Sequence, residues 1–400
     1  MSGASQPPLP LDGVRVLEFC HTIMGPSAGM LLADLGADVI KVESAPEGDT
    51  TRRLQGFASG FFFAFNRNKR SLAIDLKSPE GRDLVYRLVA DTDVVLENFG
   101  PGTMERLGCG HADLSARNPR LIYAALKGFL SGPYEHRPAL DEVVQYMAGL
   151  AYMTGPPGQP LRAGASVIDL MGGMFAVIGV QAALRERERT GKGQLVKSAL
   201  FESTAFLMTQ HMAGQAVTGR PPPPMPAREG AWGIYETFRT SDGELIFVGL
   251  TSDNHWRRFC QHFEREDLLE NPRYANNQQR VKERAEIRPM VAECVARHTL
   301  AELTILFDRI GIPFAPVAKP GDLFEDPQLN AGNRMLHVAF KDGVHAKIPR
   351  LPIEVGEHDF GLRRQAPSIG EHSAEILAEA GLANSEIEDL RARGVVSGPA

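Results

Sequence analysis

The sequence predicts an α/β fold: a mostly parallel sheet covered by helices on both faces, joined to a smaller α+β unit. Three observations carry the prediction. Short β-like runs alternate with helix-like segments over the first third of the chain. Four consecutive prolines, Pro221 to Pro224, then break the pattern, because they can neither continue a helix nor join a central strand. Beyond them the order changes to a hairpin followed by helices, and short strands return near the C-terminus.

The elements follow in order. VRVLEF is a β-like run that leads into the turn CHTIMGP, and SAGMLLADLG reads as a helix capped near Ser27 and stopped at Gly36. ADVIKVE and SLAIDL are the next strands. Ser78, Pro79 and Glu80 then open a helix with a capping hydroxyl, a proline suited to the first helical position and a first-turn acid. VVLENF and LIYAAL are further strands. A long apolar helix begins near Ser166, ends in charge at Glu186 to Arg189 and stops at Gly191. After the prolines, GIYETFRTSDGELIFVGL predicts a hairpin turning at Ser241-Asp242-Gly243, and three helical segments follow. The tail adds short strands and an amphipathic helix pair around SAEILAEAGL and NSEIEDLRARG.

Composition excludes several classes. Of 400 residues, 43% are hydrophobic and 23% charged, as in a folded globular chain. The net charge of −6 and the lack of a basic stripe argue against a nucleic-acid partner. Cys20, Cys109, Cys260 and Cys294 lie far apart with no CxxC pair, which fits a reducing compartment and neither a zinc site nor a disulfide framework. MSGASQPPLPLDG has no charged-then-apolar leader. No charge-free apolar run reaches the roughly 18–20 residues of a membrane span. The expectation is a cytoplasmic protein with no membrane partner.

Candidate chemistry gathers at strand ends. The first βα turn, EFCHTIMGPSAGM, presents His21 and free N–H groups, but it lacks the GxGxxG of a dinucleotide site, although Glu43 ends the second strand where such a site keeps its ribose acid. Arg67, Lys69, Arg70 and Lys77 crowd together, either as a solvated face or as a patch for a polyanion such as a nucleotide phosphate. Asn98 and Phe99 close the VVLENF strand, where open α/β sheets bind ligands, and Arg106 follows a Gly-Pro-Gly turn. Lys127, Arg137 and Asp141 lie in a glycine-rich polar stretch before the next apolar helix. Asp169 heads the long apolar helix. With Ser166 it fits a capping box; the reading is also compatible with chemistry, since a helix N-terminus keeps a carboxylate ionised and an ionised carboxylate can act as a nucleophile. No GxSxG, HExxH or P-loop is present.

The ordered blocks LDGVRVLEF, GPSAGMLLADLGADVIKVE, NRNKRSLAIDLKSPEGR, DVVLENFGPGTMERLG, NPRLIYAALKGF, RERERTGKGQ, GIPFAPV and IGEHSAEIL span nearly the whole chain. In them the sequence resembles the class III CoA-transferases, a family that includes formyl-CoA transferase, carnitine CoA-transferases and 2-methylacyl-CoA racemase. The resemblance implies an interlocked homodimer. Each subunit would hold a Rossmann-like large domain (1–218 and 324–400), a Pro-rich linker (219–228) and an inserted α+β domain (229–323). It implies Asp169 as the nucleophile that attacks an acyl-CoA thioester, with the neighbouring Gly172 and Gly173 admitting bulky intermediates and supplying oxyanion donors. His21, Lys77, Asn98, Phe99 and Arg106 match CoA-contacting positions, while an arginine usual after the second strand is Ser44 here. CoA thioester is then a substrate, no cofactor is tightly bound and no metal is needed.

Two departures narrow the activity. The glycine-rich loop of formyl-CoA transferase is replaced by PAREGAWGIYETF, which speaks against formate or oxalate. The racemase alternative needs a histidine in a Gly-His-Asp run, and here the run is ALD, with Leu140 in the histidine's place. Arg137 and Arg228 are candidates for pairing with the distal carboxylate of a dicarboxylic acid, which points to donors such as succinyl-CoA.

Overall fold

The computed structural model describes residues 7–227 and 230–399, which divide into two compact units. The larger comprises Met1–Pro226 and Gln328–Ala400; the smaller is Ala227–Pro327.

In the larger unit the chain runs β1 (Arg15–Phe19), α1 (Met24–Asp34), β2 (Asp38–Ser44), β3 (Arg70–Ile74), α2 (Pro79–Val89), β4 (Val94–Glu97), β5 (Ile122–Lys127), α3 (Asp141–Met147), α4 (Val167–Thr190), β6 (Leu195–Ala199), α5 (Leu200–Leu207) and α6 (Thr209–Thr218). The sheet order is β3-β2-β1-β4-β5-β6, all parallel, and the short strand Val396–Ser397 pairs antiparallel to β3 at one edge. This is a doubly wound sheet whose strand order reverses between β1 and β4, so the crevice at their carboxyl ends is the expected ligand site. Alternation along β1 shows how the sheet is buried on both sides. Leu17 and Phe19 pack with α2 and the helices Ser373–Glu379 and Asn384–Ala392, whereas Val16 packs with α1 and α4. Burial on both faces explains why the strands read as continuous apolar runs.

α1 begins three residues before the sequence suggests. Ser27 lies inside it and bonds back to the Met24 carbonyl at 2.9 Å, so it is not the cap. Ser78 caps α2 as its residue type predicts, accepting from Gly81 N–H at 3.0 Å. α4 packs on α1. A Cβ on Gly172 would lie 2.6 Å from Met24 Cε, and one on Gly173 would collide with Ser27 Oγ. These glycines therefore allow the close approach of the two helices. α4 has 24 residues and a mean hydropathy of 1.8 over its most apolar stretch, long and apolar enough to cross a membrane. It reaches that length only with Asp169 counted in, so the expectation that no charge-free run does so is unaffected.

The smaller unit packs the antiparallel strands β7 (Ile234–Arg239), β8 (Leu245–Leu250) and β9 (Phe314–Pro316) against α7 (Asp253–His262), α8 (Arg284–Val295) and α9 (Leu300–Ile310). Its hairpin turns at Gly243, whose φ of +83° is one that glycine adopts freely.

Candidate functional site

A cavity of about 520 Å³ opens at the carboxyl ends of β1 and β4, within the larger unit. Its first wall is the turn after β1. Thr22 there holds a left-handed φ of +67°, a strained state for a β-branched residue that must be fixed by its neighbours. The neighbours are visible. Asn98 at the end of β4 accepts from His21 N–H at 2.9 Å and donates to the His21 carbonyl at 2.9 Å, and Thr22 N–H donates to Thr51 Oγ1 at 2.9 Å. Behind the turn, the buried Lys41 donates to the Cys20 carbonyl at 2.7 Å and pairs with Asp49 at 2.8 Å. The His21 ring stacks on Phe99 with centroids 5.7 Å apart and 19° between planes. Burial lowers the His21 imidazole below its ordinary value, with Asp49 opposing, which favours the neutral ring. Lys127, at the end of β5, pairs with Glu97 at 2.6 Å and donates to the Phe99 carbonyl at 2.8 Å.

Another wall is the head of α4. Asp169 lies in its first turn, but its carboxylate does not serve as the cap. Ser166, at the N-cap, makes no side-chain capping bond either. Both N–H donors of Ile168 and Asp169 go instead to Asp141 Oδ2, at 2.8 and 3.0 Å. The capping-box expectation is therefore corrected: the cap comes from α3, 28 residues upstream of Asp169. So is the expectation that the helix end keeps Asp169 readily ionised. Burial first, and then the Asp141 carboxylate, push the Asp169 carboxyl up to about 7, with Arg162 pulling it down.

His21, Asn98, Phe99, Arg137 and Asp169 all line this one cavity. Lys77 and Arg106 do not. Lys77 is exposed beyond β3, and Arg106 is exposed and bonds Thr103 Oγ1 at 2.8 Å. Arg228 lies outside the described residues. Apart from Lys77, the basic run is neither a solvated face nor an open patch. Arg67, Lys69 and Arg70 are buried and neutralised by Asp34, Glu18 and the Asp38–Glu379 pair respectively. Glu43, the residue placed like a ribose acid, is spent on Arg52 and Ser71. Among the described residues no cluster of His, Cys, Asp and Glu is arranged to hold a metal ion.

Sequence reasoning missed Phe57, Phe61, Glu142 and Arg162, which also line the cavity. Phe57 is 88% exposed, so its ring stands at the mouth rather than in the core. The aromatic density of GFASGFFFAF was the available signal. Arg162 is paired with Glu142 and donates to the Ala163 carbonyl at 3.0 Å.

The chain matches the family model described as CoA-transferase family III over residues 11–373. It belongs to that family. It is accordingly an enzyme of the transferase class. A succinate–glutarate CoA-transferase of Agrobacterium fabrum is 35% identical over 92% of this chain and 95% of that protein. A succinyl-CoA–D-citramalate CoA-transferase of Chloroflexus aurantiacus is 34% identical over 98% of this chain and 100% of that protein. Among solved structures, a CAIB/BAIF family protein from Brucella suis superposes with a TM-score of 0.85 at 35% identity, covering 94% of this chain and 100% of that one. The racemase alternative is not favoured: Leu140, with no group that moves a proton, stands on the cavity wall beside Asp141.

Proposed function

We propose that this family member transfers CoA from succinyl-CoA or another dicarboxylyl-CoA to a carboxylic acid, with Asp169 as the nucleophile. The observation that carries the reading is that the Asp169 carboxyl lines a cavity at the sheet's switch point together with the His21–Phe99 stack. The relatives' names print succinyl-CoA and the dicarboxylic acids succinate, glutarate and D-citramalate, which supports the donor class.

In this reading the Asp169 carboxylate attacks the donor thioester carbonyl and expels CoA thiolate, leaving a mixed anhydride. The thiolate then attacks the aspartyl carbonyl, forming an aspartyl–CoA thioester and releasing the donor acid. The acceptor carboxylate attacks that thioester, and the thiolate released attacks the acceptor's acyl carbon to give the new acyl-CoA and free Asp169. No step needs a metal or a tightly bound cofactor. His21, Asn98 and Phe99 would shape the CoA side, with Lys77 and Arg106 nearer solvent for its phosphates. Arg137 would meet the distal carboxylate.

The same reading includes a homodimer of two-domain subunits. Ile178 on α4, Phe206 on α5 and Met212 and Val217 on α6 are between 60% and 87% exposed, which supplies apolar surface for a second copy.

The test is mass spectrometry of intact protein mixed with succinyl-CoA, followed by hydroxylamine trapping and peptide mapping. A CoA adduct or trapped label on the Asp169 peptide, lost in Asp169→Ala, is the expected result. No adduct with any of a panel of acyl-CoAs, in protein that binds CoA, would overturn the proposal.

A further inference from the structure

α3 brackets the head of α4 with two side chains one turn apart. Asp141 takes the Ile168 and Asp169 N–H groups, and Gln145 Oε1 takes the Ala163 N–H at 2.8 Å. Gln145 Nε2 closes the bracket on Asp141 Oδ1 at 2.5 Å. Asp141 is 7% exposed and Gln145 fully buried. Free N–H groups at a helix end ordinarily stabilise a first-turn acid. Here two of them are committed to Asp141, so the Asp169 carboxylate faces a second carboxylate that holds those donors.

We infer that Asp141 is a positioning residue that favours loading of Asp169 with CoA: its charge destabilises the free Asp169 carboxylate but not the neutral aspartyl–CoA thioester. The inference rests on the transferase reading above. Loading converts an acyl-CoA and the Asp169 carboxylate into aspartyl–CoA and the donor's carboxylate. Bonds form between Asp169 Cγ and the CoA sulfur and between the donor's acyl carbon and one Asp169 oxygen. The acyl C–S bond and one Asp169 Cγ–O bond break, and the oxygen and the negative charge leave on the donor acid. No proton moves and no redox partner is involved. The step thus transfers an anion from beside Asp141 to an acid that departs, and relief of like-charge repulsion drives it forward.

The other charged groups around Asp169 do not cancel this. Arg162, on the segment before α4, pulls the opposite way but is paired with Glu142 on α3. Lys127 at the end of β5 is committed to Glu97. His21 from the β1 turn and His136 and Arg137 from the segment before α3 line the same cavity, but only Asp141 and Arg162 act appreciably on the Asp169 carboxyl.

The test is an equilibrium measurement on the full-length enzyme with succinyl-CoA, graded succinate and no other acceptor. Intact mass after acid quench gives the ratio of loaded to free enzyme. Asp141→Asn keeps an oxygen for the two N–H groups and removes the charge, and Asp141→Ser is the second neutral variant should the first fail to fold. At pH 8 the loading equilibrium in Asp141→Asn should fall roughly tenfold, equivalent to one pH unit of carboxyl affinity. The difference should shrink below pH 6, where the wild-type carboxyl is already protonated. Gln145→Met loses both amide bonds of the same bracket, one of them to the Asp141 carboxylate, and keeps the charge, so its equilibrium should stay within about twofold of wild type. Equal equilibria in wild type and Asp141→Asn at pH 8, a loss that is the same at both pH values, or a matching loss in Gln145→Met would each overturn the inference and leave the transferase reading standing. A wild-type protein that binds CoA and never becomes loaded overturns the transferase reading, and this inference with it.

Discussion

Asn98 and His21 are joined through both ends of one amide: the His21 N–H donates to Asn98 Oδ1 and Asn98 Nδ2 donates to the His21 carbonyl, each at 2.9 Å. The pair ties the end of β4 to the turn after β1, where Thr22 holds a left-handed conformation. The amide thus acts on backbone, and its effect on a bound thioester passes through the placement of His21. Asn98→Asp can still accept but cannot donate, and it sets a carboxylate against a carbonyl. The expected loss is about 2–3 kcal/mol of stability in urea unfolding. KM for acyl-CoA should rise more than kcat falls. Wild-type stability and KM together would show that the turn does not depend on this amide.

Asp169 sets a pH dependence whose sign is fixed. Its folded-state carboxyl is raised to about 7, above the usual aspartate value near 3.9 that the unfolded chain retains. The native state therefore holds the proton more tightly. The destabilising contribution is absent below about pH 4, grows as pH rises, and is complete above about pH 7. Asp169→Asn should gain stability over wild type at pH 8, on the order of 2 kcal/mol once partial solvent access is discounted, and gain little at pH 4. Thermal unfolding at the two pH values measures it. In the active enzyme kcat/KM for acyl-CoA should rise with pH through an inflection near 7, because Asp169 as the proposed nucleophile must be ionised. A flat profile from pH 5.5 to 8.5 would contradict the shift.

What was legible in the sequence depended on whether the deciding partner lay nearby. Ser78 caps α2 through Gly81, three residues on, and the local pattern reveals it. The parallel strands read as apolar runs because both faces are covered. The cap of α4 was not legible, since Asp141 lies 28 residues before Asp169 and Ser166 looks like a better local candidate. For the same reason Arg67, Lys69 and Arg70 read as surface charge. Their neutralising partners, Asp34, Glu18 and Asp38, are between 32 and 51 residues upstream and meet them only across the folded sheet and α1. Phe57 and Phe61 escaped because a dense aromatic run has no period that separates a cavity wall from a core.

Lys127 and Glu97 make a second coupled pair beside the cavity, 2.6 Å apart. Burial pushes the Glu97 carboxyl up, with Lys127 opposing. Removing the lysine alone leaves a buried carboxylate without its cation, so Lys127→Met should cost about 3 kcal/mol. The double variant Lys127→Met with Glu97→Gln should recover much of that loss, because no unpaired charge remains. Urea unfolding of the four proteins measures the coupling. If the double variant is no more stable than Lys127→Met, the lysine contributes through its bond to the Phe99 carbonyl rather than through Glu97.

Arg137 is suited to distinguish the acids that the cavity accepts. Its guanidinium lies 4.9 Å from the centre of the Tyr134 ring, and among the described residues it has no ion pair. Arg162, on the same cavity, is already matched by Glu142. An exposed, ring-stacked guanidinium can offer its fork to a distal carboxylate without losing an internal partner. Arg137→Ala should therefore raise KM for succinate or glutarate by about tenfold or more, the value of one charge-assisted hydrogen bond. KM for a monocarboxylate of the same chain length should change less than twofold, within the scatter for a group that makes no contact. Arg137→Lys should fall between the two, since an ammonium keeps the charge and loses the fork. Initial rates over a matched series of mono- and dicarboxylic acceptors decide it, and equal effects on both series would remove Arg137 from substrate selection.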